Sequence, residues 1–114
     1  MLTPAKYEIV CPQGATLDKT FTATNDGTAV NWTGYTAALQ VRQYYGSDTT
    51  VLSLSTGSGI TALTNDGKVI IQATAVQTAA IPAGNYVYDL ELTSGAYKVR
   101  LVEGRFTVTP EVTR

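Results

Sequence analysis

Residues 82–109 read PAGNYVYDLELTSGAYKVRLVEGRFTVT, and the fold depends on how this stretch pairs with itself. A two-residue turn at Ser94-Gly95 makes it a long antiparallel hairpin. Tyr86, Tyr88, Leu90 and Leu92 then share one face with Tyr97, Val99 and Leu101. On the other face Asp89 meets Arg100 and Glu91 meets Lys98. Strict alternation marks half-buried strands, and opposite charges across a pair favour that register. A slip of one residue would turn these charges into the core, so the choice of face is well specified.

Working back from this hairpin, the chain shows short strands separated by turn signals. Lys6 to Cys11 is a first strand, stopped at Pro12-Gln13-Gly14. Thr16 to Thr24 follows, with Phe21 and Ala23 inward and Thr20, Thr22 and Thr24 outward. Asn25-Asp26-Gly27 is a tight turn into a brief return strand, Ala29 to Trp32. Tyr35 to Gln43 alternates clearly, with Tyr35, Ala37, Leu39 and Val41 inward. A polar loop from Tyr44 to Thr50 precedes the strand Val51 to Ser55, and Gly57-Ser58-Gly59 is a flexible break. Ile60 to Leu63 and Lys68 to Ala73 then form a second hairpin through Asn65-Asp66-Gly67.

One helical segment is expected, Thr74 to Ala80. Thr74 is its N-cap, Gln77 reaches back, and Pro82 ends it. The corner Ile81 to Tyr86 then enters the long strand, placing the Tyr86 hydroxyl to bond backbone upstream, as at the sheet crossing of Ig-like domains. Tyr88 stands where a bridged Ig domain carries a cysteine. The expected fold is therefore all-β, an Ig-like antiparallel β-sandwich with one short helical turn. It forms a single domain over residues 1–114, with 1–5 and 110–114 as terminal arms.

Composition narrows the function classes. A chain of 114 residues is one domain, large enough to bury roughly 65% of its unfolded surface unaided. Charged residues make up 15%, against a usual ~25%, and the net charge is −1. That balance supplies no basic face for nucleic acid or an anionic membrane. No apolar run approaches a membrane span, and the start Met1-Leu2-Thr3-Pro4 lacks a signal pattern, so synthesis in the cytoplasm is expected. Cys11, the only cysteine, excludes an intrachain disulfide and reads as a small buried hydrophobe. The sequon Asn31-Trp32-Thr33 is expected to go unused.

Groups for catalysis are sparse. The chain has no histidine, so it offers no imidazole base or ligand, and no P-loop or nucleophile elbow is present. Asp89 and Glu91 are the best carboxylate pair, roughly 7 Å apart on one strand face. They could serve a glycan hydrolase, but cross-strand pairing with Arg100 and Lys98 accounts for them. Asp26 and Asp66 could each touch Ca²⁺, and turn formation explains both. No catalytic residue, cofactor or metal is expected. Binding is better represented. Trp32, Tyr44 and Tyr45 are the candidate contact residues, although core packing is the favoured reading for Trp32 and Tyr35. Tyr44 and Tyr45 are adjacent and cannot both point inward.

Several runs in order carry a family resemblance. They are Trp32-Thr33-Gly34-Tyr35-Thr36-Ala37 with Gln40-Val41-Arg42, Gly67-Lys68-Val69-Ile70-Ile71, and the corner Ala75 to Gly84. Tyr86 to Leu92, Glu103 to Val108 and Pro110 to Arg114 complete the set. From about Ala15 onward the chain resembles small tailed-phage and prophage virion proteins with an Ig-like domain of the baseplate-upper-protein N-terminal type. The resemblance implies a non-enzymatic virion structural protein, associated with tail or baseplate or decorating the head. It would dock in many copies, or as a homo-oligomer, on tail, neck or capsid subunits, with the edge strand Lys6 to Cys11 available to a neighbouring sheet. The alternative is a carbohydrate-binding module that recognises a host surface glycan through Trp32, Tyr44 and Tyr45.

Overall fold

The computed structural model describes residues 5–25 and 27–112. Asp26 of the expected turn, and residues 1–4 and 113–114 of the expected arms, lie outside the described residues. The strands are Ala5–Lys6 (β1), Ile9–Pro12 (β2), Leu17–Thr22 (β3), Thr24–Asn25 (β4), Thr28–Ala29 (β5), Thr36–Arg42 (β6), Leu52–Thr56 (β7), Gly59–Leu63 (β8) and Lys68–Ala73 (β9). The helical turn Ala75–Ala79 (α1) precedes Gly84–Ser94 (β10) and Tyr97–Thr109 (β11). The fold is all-β with little helix, as the alternation in the sequence required.

The main sheet runs β1-β11-β10-β6-β7-β8-β9-β3, with β2 also on β11, while β4 and β5 form a small ribbon. The sheet curls into a β-sandwich-like body. One half is β11-β10-β6-β7 and the other β8-β9-β3. Leu39, Val41, Leu54, Leu90, Leu92 and Phe106 from the first half and Phe21, Ile60, Val69 and Ile71 from the second belong to one buried core. Cys11 is buried in that core as well, as expected.

The sheet is mixed rather than antiparallel. β1 and β2 run parallel to β11, so Ala5, expected in an arm, is already paired with Val102. β7 and β8 are also parallel, although only Gly57 and Ser58 separate them. A parallel pair ordinarily needs a crossover of a dozen or more residues. Here pairing lasts two rungs, Ser55 with Gly59 and Thr56 with Ile60. The link is an ordered corner: Ser55 and Ser58 exchange backbone hydrogen bonds of 2.8 and 2.9 Å, and Gly57 takes a φ of 83°. The chain steps sideways there, from one half of the body to the other, without reversing.

The hairpin that organises the fold is present, in a corrected register. Ser94 pairs with Tyr97, so the turn residues are Gly95-Ala96, with Gly95 at φ 60° in the first central position. Relative to the expected register the pairing slides by two residues, which preserves the faces. A bulge then intervenes. Glu91 pairs with Arg100 but Leu90 pairs with Val102, leaving Leu101 as the extra residue. Both Leu101 and Val102 are buried. The inward row on β11 thus changes parity, from Val99 and Leu101 to Val102, Phe106 and Val108.

The corner before β10 formed as read. The Thr74 hydroxyl accepts from the Gln77 amide at 3.1 Å, and the Gln77 side chain accepts from the Thr74 amide at 2.8 Å, a complete capping box. The Tyr86 hydroxyl donates to the Pro82 carbonyl at 2.6 Å. The buried Thr78 hydroxyl fastens this corner to the preceding loop, accepting from the Gly14 amide at 3.1 Å and donating to the Ala15 carbonyl at 2.8 Å. Tyr88, on the next inward position, donates to the Tyr7 carbonyl at 2.7 Å and so ties β10 to the N-terminal strands.

Candidate functional site

The three aromatic contact candidates separate. Trp32 is fully buried: its indole N–H donates to the Gly67 carbonyl at 3.2 Å and its ring meets Tyr35 edge-on at 5.0 Å. Trp32 therefore belongs to the core and presents nothing to a ligand. Tyr44 and Tyr45 are 61% and 69% exposed, on the loop that follows β6. Tyr97, placed inward by alternation, is 54% exposed at the turn end of β11, where it meets Tyr35 edge-on.

The outer face of β6, β10 and β11 carries a cluster of charged residues. Odd-numbered residues of β10 point outward, so Val87, Asp89 and Glu91 stand in a row. β6 sets Gln40 and Arg42 beside them, since Gln40 pairs with Asp89 and Arg42 with Val87. β11 adds Lys98, Arg100 and Glu103. Asp89 contacts Arg100 at 3.4 Å, and Glu91 contacts Arg100 at 3.8 Å and Lys98 at 3.9 Å. The ion pairs expected from the sequence thus form, although Asp89 lies opposite Glu103 and Arg100 reaches it diagonally. Glu103 in turn pairs with Lys6 of β1 and with Arg100 at 3.3 Å.

These carboxylates are in opposite electrostatic situations. The hydrogen bond from Lys6 holds the Glu103 carboxyl below the usual glutamate range, and Arg100 adds to this. Asp89 is pushed above the usual aspartate range, first by desolvation and then by the neighbouring Glu91 charge, which outweigh the attraction of Arg100. A raised folded-state pKa means that the unfolded chain releases its proton first. Stability from Asp89 therefore falls as pH rises between the ordinary aspartate pKa and the higher folded value. For Glu103 the stability is present above the ordinary glutamate pKa and is lost as pH falls through the lower folded value. Accordingly, Asp89→Asn leaves the urea midpoint at neutral pH unchanged or higher, while Glu103→Gln lowers it. Urea melts across about pH 2 to 7 read both effects.

The loop bearing Tyr45 is braced onto this face. Arg42 donates to the Ser47 carbonyl at 2.6 Å and to the Gln40 side-chain oxygen at 2.9 Å. Tyr45 thereby walls one side of a shallow open recess of ≈ 190 Å³ whose floor and rim are Gln40, Arg42, Val87, Asp89 and Glu91. Sequence reading missed Gln40, Arg42 and Val87 as site residues, because they converge only through the pairing of β6 with β10. Asp66, by contrast, is engaged in its own turn, accepting from the Thr64 hydroxyl and facing Lys68 at 3.6 Å.

A second surface lies at the end of the body where β6 finishes and β10 begins, Arg42 opposite Val87. It comprises the loop after β2, α1 and the residues after β11. Gln13 clamps these together, donating to the Ile81 carbonyl at 2.9 Å and accepting from the Glu111 amide at 3.3 Å. Val76 on α1 and Val112 are 81% and 92% exposed there. No protein-family model matches this chain, and no curated protein is significantly similar to it.

Proposed function

We propose that this protein is a non-enzymatic virion structural protein of a tailed phage or prophage, which docks on other virion subunits in many copies. The resemblance in the runs from Trp32 to Arg114 supplies the virion assignment. The observation that carries the docking role is the braced end of the sandwich. Three segments remote in sequence are locked together by Gln13 and Thr78, so the surface they form needs little ordering on contact. That surface exposes two valines, and Tyr44 projects from the loop at the same end. The first turn of α1 carries no acidic residue and its last turn no basic one. An ordered, weakly charged surface with aliphatic and aromatic anchors has the composition of an interface core.

Lys6 to Cys11 is broken at Tyr7-Glu8 into β1 and β2, and both pair with β11 at the edge of the sheet. Docking is assigned here to the braced end, where the exposed anchors stand. The test is incorporation into particles produced with tagged wild-type or variant chain, with copies per particle read by mass spectrometry. Tyr44→Ala combined with Val76→Thr is expected to lower incorporation by about tenfold or more while leaving the urea midpoint of the free domain in place. Undiminished incorporation of the variant would contradict docking through this end.

A further inference from the structure

We propose that the recess beneath Tyr45 is a binding site for one neutral sugar ring, a pyranose unit of a glycan. This assignment is independent of the virion role, and it concerns a different face from the braced end. Three features of the recess select the ligand class. The first is the exposed Tyr45 ring, a flat apolar wall with a polar tip. The second is unused hydrogen-bonding capacity. Asp89 and Glu91 touch Arg100 and Lys98 only at 3.4–3.9 Å, and each ionised carboxylate offers about four acceptor sites. Arg42 occupies the Gln40 side-chain oxygen, which leaves the Gln40 amide nitrogen to donate toward the recess.

The third feature is charge. Asp89 and Glu91 are balanced by Arg42 and Arg100, so the recess favours neither a cation nor an anion. A ligand that gains from this surroundings is uncharged, presents several hydroxyl donors and an acceptor along one edge, and has an apolar face for Tyr45. A pyranose ring meets all three conditions, its axial C–H groups supplying the face. The recess is smaller than the ~300–1,000 Å³ pockets that engulf a drug-sized ligand. It therefore seats one ring at the surface, with the glycan continuing into solvent. The site is preorganised: Arg42 fixes both the Gln40 amide and the Ser47 carbonyl of the loop that carries Tyr45.

The experiment is a titration of the isotope-labelled domain, followed by backbone amide and tyrosine-ring NMR signals. The probes are methyl glycosides of glucose, galactose, mannose and N-acetylglucosamine, with N-acetylneuraminic acid and methylguanidinium as charged comparators. At least one neutral glycoside is expected to shift the Val87, Asp89, Glu91 and Tyr45 signals saturably, with a Kd of about 1 mM. Tyr45→Ala and Glu91→Gln should each weaken it by about tenfold, while Tyr45→Phe retains most of the affinity because the ring face remains. Tyr45 is 69% exposed, so its replacement leaves the fold intact, which the same spectra report. No saturable shift with any neutral glycoside would overturn the assignment, as would equal binding by Tyr45→Ala. Stronger shifts with methylguanidinium would show instead that the recess takes a cationic side chain.

Discussion

Replacing Trp32 by alanine is expected to remove about 3–5 kcal/mol of stability, the range for truncating a large buried aromatic. A domain of this kind holds roughly 5–15 kcal/mol in total, so the variant loses a large share of its stability. The expectation follows from what the side chain connects. Its ring packs on Tyr35, its indole N–H satisfies the Gly67 carbonyl, and its backbone amide donates to Thr64 at 3.0 Å. Trp32 therefore pins the connection between β3 and β6 to the turn between β8 and β9. Truncation opens a cavity and strips one partner from Gly67, which also accepts from the Ala23 amide at 2.8 Å. Trp32→Phe should cost less, because most of the volume stays and only the indole donor is lost. Far-UV circular dichroism through a urea series measures both, and a loss below about 1 kcal/mol for the alanine variant would contradict a core role for Trp32.

Gly104→Ala is the second large effect. Gly104 lies opposite Tyr88 on β10, where the N-terminal segment crosses closely above β11. A methyl group at this position would be driven into the Tyr7 carbonyl oxygen and would stand only 3.1 Å from the carbonyl carbon. That carbonyl accepts from the Tyr88 hydroxyl, so the strain passes directly to a buried hydrogen bond. Forcing extra atoms into a filled space costs about 1–3 kcal/mol. The distinguishing signature is local: hydrogen exchange should accelerate across β1 and β2 before it does so in β6 or β10. Unchanged protection in residues 5–12 would mean that the N-terminal strands do not depend on this close approach.

The sequence made the inward rows legible wherever one face is buried. Ala37, Leu39 and Val41 of β6 and Tyr86, Tyr88, Leu90 and Leu92 of β10 lie where period-two alternation puts them. Local chemistry was equally readable in the Thr74–Gln77 capping box and the Tyr86 hydroxyl bond, because donor and acceptor lie within four residues. The bulge at Leu101 was harder. Its trace is the change of apolar parity from Val99 and Leu101 to Val102 and Phe106, which the expected pairing of charges concealed. The parallel pairing of β1 and β2 with β11 joins segments some hundred positions apart, and short exposed strands carry no signal of their partner.

The candidate site was legible in part for the same reason. Adjacent Tyr44 and Tyr45 had to place at least one ring outside, and both are exposed. Trp32 lacks such an adjacent aromatic, and the core position favoured for it is the one it occupies. Gln40, Arg42 and Asp89 come from two strands, and their convergence is a property of register rather than of any motif.

Cryo-electron microscopy of phage particles produced by the strain that carries this chain tests the proposed structural role most directly. The account predicts density for the sandwich in symmetric copies on head, neck or tail, with α1, Gln13 and Tyr44 against a neighbouring subunit and the Tyr45 recess open to solvent. Intact particles that lack the sandwich altogether would contradict it.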